Sequence, residues 1–146
     1  MSGVLYTRDI LRLAVSIPHQ QRLDQPDGTA ELRSRTCGSK VAADVIVAEG
    51  GMLEDLGLAI NACALGQASA AILGAEAIGK SAGDIETARS GLAAFLDGSS
   101  ESPGEWPDMD LLAPARDHKG RHAAILLPYD AVIAAFADAT AKQKAN

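Results

Sequence analysis

With 146 residues the chain is one domain of ordinary size, long enough to bury a core without a metal or disulfide to staple it. Nineteen acidic against thirteen basic residues leave a net charge of −6, which argues against a nucleic-acid surface and against a polybasic membrane patch. Aromatic residues are only 3%, so small and aliphatic side chains must close the core at short distances, and no aromatic platform is at hand for stacking a base or cofactor.

The longest apolar run, Ala68 to Ala75, is too short to span a bilayer, and Met1 to Tyr6 has no basic or signal-like stretch. A cytoplasmic protein with reduced thiols is expected, with no membrane and no nucleic acid among its partners.

Tyr6, Ile10, Leu13, Ala14 and Ile17 share one helical face, and Pro18 stops the pattern. From His19 to Gly28 the residues read as a loop. The period then becomes two: Ala30, Leu32, Ser34 and Thr36 alternate with Glu31, Arg33 and Arg35, as in an edge strand with one solvated face. Val41, Ala43, Val45 and Val47, a turn at Glu49-Gly50-Gly51, and Leu56, Leu58 and Ile60 predict a hairpin over 41–61.

Ala64 to Gly79 carries a single charge, Glu76, and predicts a helix buried all round. Ser81 with Asp84 resembles a capping box, and Ile85, Ala88, Leu92, Phe95 and Leu96 supply the apolar face of the next helix. Residues 98–110 predict a mobile loop. Leu111-Leu112-Ala113-Pro114 follows, then a polar stretch in which Arg116, His118, Lys119 and Arg121 read as a solvated basic loop. Tyr129, Val132, Ile133 and Phe136 predict a last helix starting near Ala123, with a frayed tail over about 140–146. The whole chain, 1–146, is expected as a single α+β domain: a three-stranded antiparallel sheet with helices packed on one face.

Cys37 and Cys63 are the only thiols. Cys37 lies in Arg35-Thr36-Cys37-Gly38-Ser39 at the join of two strands, and Cys63 lies where a strand hands over to a helix. Strands one and three of a meander run in the same direction, so both thiols should emerge at one end of the sheet, where a pair of thiolates suits a soft metal or an iron-sulfur cluster. Two unrelated, half-buried cysteines are the plainer alternative. No phosphate-binding, zinc-protease or serine-hydrolase motif is present. A Cys63 nucleophile paired with His19 or His122 lacks an orienting third group.

The early Leu-Tyr helix, the Cys37-Gly38 turn, the glycine-turn hairpin, Cys63 opening an Ala/Ser-rich helix and the Leu127-Pro128-Tyr129-Asp130-Ala131-Val132 run together resemble the NifU/IscU/SufU iron-sulfur cluster assembly scaffolds over most of the chain. The resemblance implies a fold of the SufE/NifU kind and a function that is coordination and hand-over, not enzymatic turnover. It implies a transient 2Fe-2S cluster or iron, or zinc, held in the family by three cysteines and an aspartate or histidine. Cys37 and Cys63 match the first two cysteines. The family's Cys-Gly-Asp is Cys37-Gly38-Ser39 here, so a hydroxyl replaces the carboxylate, and the third cysteine falls at Ala124. His122, two positions earlier, is a candidate to complete the set as a metal ligand. Leu112-Ala113-Pro114-Ala115-Arg116 departs from the family's Leu-Pro-Pro-Val-Lys chaperone segment in its second proline and its lysine, so chaperone binding is not carried over. The implied partners are a cysteine desulfurase and apoprotein cluster acceptors, with a homodimer as a further arrangement. Two alternatives remain: a sulfur-relay accessory that accepts persulfide on Cys37, and a degenerate paralogue that keeps the fold as an interaction module.

Overall fold

The computed structural model describes residues 5–35 and 38–145. It contains α1 (Arg8–Ala14), β1 (Gly28–Arg33), β2 (Lys40–Val47), β3 (Leu53–Asn61), α2 (Ala64–Glu76), α3 (Ala82–Asp97), two 3-10 segments (Met109–Asp117 and Lys119–Arg121) and α4 (His122–Ala145). The three strands pair antiparallel in the order β1-β2-β3. This is the α+β meander expected from the alternation.

Parity along the strands assigns the two faces. Gly28, Ala30 and Leu32 pair with Val45, Ala43 and Val41, which in turn pair with Leu56, Leu58 and Ile60. That face carries the core, with Val41, Ala43 and Val45 fully buried, and α4 lies across it. At Gly28 a Cβ would run into the backbone of Ala135 and Ala139, so α4 approaches β1 at a distance only glycine permits. By length and composition α4 could cross a membrane, but 56% of its most apolar window is buried against the rest of the fold.

The opposite face is not open either. A strap over residues 19–24 crosses it, anchored by the amide of Leu58 donating to the His19 carbonyl (2.8 Å) and by Gly57, where a Cβ would meet the Gln21 carbonyl. Asp44 on this face has a buried carboxylate that accepts from Arg22 Nε (2.6 Å) and Nη2 (2.8 Å), from the Thr29 hydroxyl (2.7 Å) and from the Leu23 amide (3.0 Å). Arg22, Thr29 and Leu23 hold that carboxyl at a pKa of about 2, the Arg22 hydrogen bonds contributing most and burial opposing them.

The helices follow their local chemistry. Thr7 caps α1 by accepting from the Ile10 amide (3.1 Å), and the helix ends at Ala14, earlier than the spacing to Ile17 suggests. The Ser16 hydroxyl donates back to the Arg12 carbonyl (2.8 Å) and so occupies the end of the last turn. Ser81 and Asp84 form the expected capping box of α3, which Gly98 closes in the left-handed region. Helix α2 is buried on nearly all sides, as its composition predicts.

Segment 98–108 is irregular and is tied down at two points. Pro103 is buried against Gly91, and the Trp106 indole donates to the Ile72 carbonyl (2.9 Å). The 3-10 segment over 109–117 was not legible: Met109, Leu112 and Ala115 recur every three residues and are fully buried, a period that neither a helix nor a strand template detects. Arg116 departs from the solvated basic loop. Its guanidinium lies 4.5 Å from the Phe95 ring centroid and donates to the carbonyls of Phe95 (2.7 Å) and Ser100 (3.1 Å), closing the C-terminus of α3.

Tyr129 of α4 is wholly buried, and among the described residues its hydroxyl meets no partner with hydrogen-bond geometry; burial pushes its phenol pKa up, with the Ser69 hydroxyl opposing. Nearby Ser69 instead donates to the Ile125 carbonyl (2.6 Å). Tyr129→Phe is therefore expected to leave the melting temperature unchanged or raise it, because an unsatisfied polar atom is removed without a cavity.

Candidate metal and sulfur site

The β1–β2 ladder ends at the pair Arg33–Lys40, and β2–β3 begins at Lys40–Asn61. Beyond these rungs the chain turns: the Ser34 amide donates to the Ser39 carbonyl (2.8 Å), and the Gly38 amide donates to the Ser34 carbonyl (3.1 Å). Gly38 has φ +72°, a conformation that favours glycine and explains the residue after Cys37. Cys37 and Thr36 lie outside the described residues. Ser39, at the position of the family's aspartate, is buried.

Cys63 is the N-cap residue of α2, with extended backbone (φ −65°, ψ 169°). Its carbonyl accepts from the Gln67 amide (2.9 Å), while its side chain makes no capping hydrogen bond. The thiol is free, half-buried, and packs against the edge of the core. Continuing the β2–β3 register by two rungs sets Gly38 level with Cys63. The flanks of the Cys37 turn and the Cys63 cap thus share one end of the sheet, as a meander requires. A helix N-terminus at that point directs unpaired amides toward an anionic occupant.

Ala124 stands one turn into the same neighbourhood. Its carbonyl lies 3.3 Å from where a Gly66 Cβ would be, so the first turns of α2 and α4 touch there, and its side chain is fully buried. Pro128, four residues on, has no amide to give that carbonyl its helical bond. Where the family resemblance implies a third thiol, this chain has a fully buried alanine.

His122 opens α4 and is half-buried. Its Nε2 is 2.8 Å from the Ala115 carbonyl, which ties the ring to the preceding 3-10 segment. Nearby Asp97 has its carboxyl held below its ordinary pKa mainly by the Ser99 hydroxyl and amide. Among the described residues no three His, Cys, Asp or Glu side chains converge as a metal-ligand set.

Periodicity alone concealed one electrostatic feature of this end. Arg33 and Lys40 are direct cross-strand partners, a like-charge juxtaposition that opposes pairing. It becomes visible only once the register is known.

No family model matches the sequence, and no curated protein matches it. Solved structures do. The N-terminal part of a nitrogen-fixing NifU-like protein from Brucella abortus is 32% identical, with a TM-score of 0.88 over 94% of this chain and 95% of that one. A proposed iron-sulfur cluster assembly scaffold protein for the SUF system from the thermophile Fervidobacterium islandicum AW-1 shares the fold at 17% identity, with a TM-score of 0.82 over 90% of this chain and 96% of that one. A hypothetical protein at 24% identity, matched over 91% and 97%, has a TM-score of 0.81. The level of identity to the Brucella protein over nearly the full length of both chains, joined to the shared meander and helix order, shows that this chain belongs to the family of NifU-, IscU- and SufU-like proteins.

Proposed function

We propose that the protein is an iron-sulfur cluster assembly scaffold that holds a transient 2Fe-2S cluster, or iron on the way to one, between the Cys37 turn and the Cys63 cap. Zinc is the alternative cargo. The observation that carries this reading is Cys63: a free thiol at a helix N-cap, unused in capping, at the end of the sheet where the Cys37 turn begins and ends. The likeness to the NifU-like and SUF-system proteins supports the same role.

Cys37 and Cys63 would be the thiolate ligands. His122 would join through Nδ1, because an Nε2–H donating to the Ala115 carbonyl leaves the other ring nitrogen with its lone pair. With serine at position 39 and a buried alanine at 124, the protein supplies fewer ligands than a closed four-thiolate site. A cluster held in this way is labile, and lability favours hand-over to an apoprotein. A cysteine desulfurase is the sulfur source in this reading, and the reducing cytoplasm is where both thiols stay available. The protein's part is to bind and release its cargo, not to turn over a substrate.

Anaerobic incubation with ferrous iron and inorganic sulfide is expected to give a protein-bound visible chromophore. Cys37→Ala and Cys63→Ala should each lose it, and His122→Ala should shorten its lifetime. A colourless wild-type protein would overturn the scaffold reading.

A further inference from the structure

Strand β1 is an edge of the sheet, and its register with β2 fixes which of its backbone groups face outward. The Ser34 amide donates to the Ser39 carbonyl (2.8 Å), one rung beyond the Arg33–Lys40 pair, so Ser34, Leu32 and Ala30 turn their amides and carbonyls toward β2. Thr29, Glu31 and Arg33 therefore turn theirs away from the sheet. The Thr29 amide is taken, because it donates to the Asp138 carboxylate of α4 at 2.9 Å. Among the described residues no hydrogen bond reaches the outward amides and carbonyls of Glu31 and Arg33, and both residues are exposed.

A free edge is a template for another strand, and charges placed on it ordinarily discourage pairing. Here the charges select a partner. If β1 pairs antiparallel with β1 of a second copy, outward-facing residues must meet outward-facing residues. The choices are then Glu31 against Glu31, Arg33 against Arg33, or Glu31 against Arg33. Each of the first two sets like charges side by side. The third is centred on Leu32 and sets Glu31 of each copy against Arg33 of the other, so the ion pair forms twice. In that register every outward amide and carbonyl of Glu31 and Arg33 finds a backbone partner, and the paired side chains lie on the same face.

Within its own chain Arg33 makes no ion pair among the described residues, and its neighbour across the ladder is Lys40. Glu31 reaches the Lys40 ammonium only at 3.9 Å. A second copy thus supplies the carboxylate that the chain's own fold withholds from Arg33.

We infer that the outer edge of β1 is a self-association surface, on which a second copy of this chain pairs antiparallel in the register centred on Leu32. The two three-stranded sheets then run on as one sheet about a twofold axis. The ladder closes on itself, because Asp138 holds the Thr29 amide and ends the free edge after Glu31. So short an edge makes a concentration-dependent dimer, not an obligate one. β3 and the Cys63 cap that follows it stand on the other side of the sheet, so the pairing leaves them open and does not depend on the scaffold reading.

Sedimentation equilibrium of the full-length protein under reducing conditions, from micromolar to millimolar concentration, tests this. Wild type is expected to pass from monomer to dimer, and added salt should weaken the dimer because its ion pairs are exposed. Amide hydrogen exchange followed by NMR should slow at Glu31 and Arg33 as concentration rises, while Leu32, already bonded to β2, changes little. Arg33→Glu and Glu31→Arg should each weaken self-association roughly tenfold, since each sets like charges opposite one another in this register. Mixing the two variants should restore a dimer containing one copy of each. The exchanged variant Glu31→Arg/Arg33→Glu should dimerise as wild type does, a recovery that a folding defect would not produce.

A wild type that stays monomeric throughout overturns the inference and leaves the edge to a strand of another protein. So does a dimer in which the Glu31 and Arg33 amides exchange as fast as in the monomer, or one whose charge variants fail to recover on mixing. Either result places the contact elsewhere on the surface.

Discussion

Asp44→Ala is expected to destabilise the fold by about 2 to 3 kcal/mol, because it removes a buried carboxylate that satisfies several donors. Four donors converge on that carboxylate from three residues of the strap and of β1: Arg22 through Nε and Nη2, Leu23 through its amide and Thr29 through its hydroxyl. Deleting the acceptor takes the partner from the Leu23 amide and the Thr29 hydroxyl, and it releases the ion pair with Arg22 that pins residues 19–24 across the back of the sheet. Equilibrium denaturation in urea checks this: the midpoint should fall with little change in slope.

The same carboxylate sets a pH dependence whose sign is fixed. Its pKa is about 2 in the folded protein against 3.8 for an ordinary aspartate, so its contribution is complete above about pH 4 and disappears as pH falls through 2. The size follows from the shift, about 2 kcal/mol. Wild-type melting temperature should therefore drop steeply between pH 4 and pH 2, and Asp44→Asn should remove most of that slope. An Asp44→Asn protein with the wild-type acid profile would show that other carboxylates carry the transition.

Gly28→Ala is the second large effect, expected at about 3 kcal/mol or more, at the upper end of overpacking costs. The added methyl would meet the Ala135 carbonyl, the Ala139 amide and the Ala139 Cβ. Two of those three are helix backbone, which cannot rotate away as a flexible side chain would. The cheapest relief is separation of β1 from α4, and β1 leads straight into the turn that bears Cys37. Loss of thermal stability should therefore come with weaker chromophore retention, even though the substituted residue is at the far end of the strand from the cysteines. A neutral Gly28→Ala would mean that α4 does not seat on β1 as described.

Period-two and helical spacing gave the meander, the buried α2, the capped α3 and the long last helix correctly, because each of those elements buries a face that its own sequence must make apolar. Strand direction alone put residue 63 and the flanks of residue 37 toward one end of the sheet. The 3-10 segment escaped detection because its three-residue period is not a standard pattern, and Arg116 escaped because its role depends on Phe95 and Ser100, which are distant in sequence.

The sequence by itself determined the element order, the sheet face that would be buried and the end of the sheet where Cys63 sits, since these follow from local periodicity and chain direction. The tertiary structure decided what lies opposite what. It put α4 against Gly28, the Asp44 carboxylate under the strap, the Ala124 carbonyl beside Gly66 of α2, and Arg33 opposite Lys40. Each of these depends on the distance between residues far apart in the chain, a quantity that packing fixes and that no local pattern encodes.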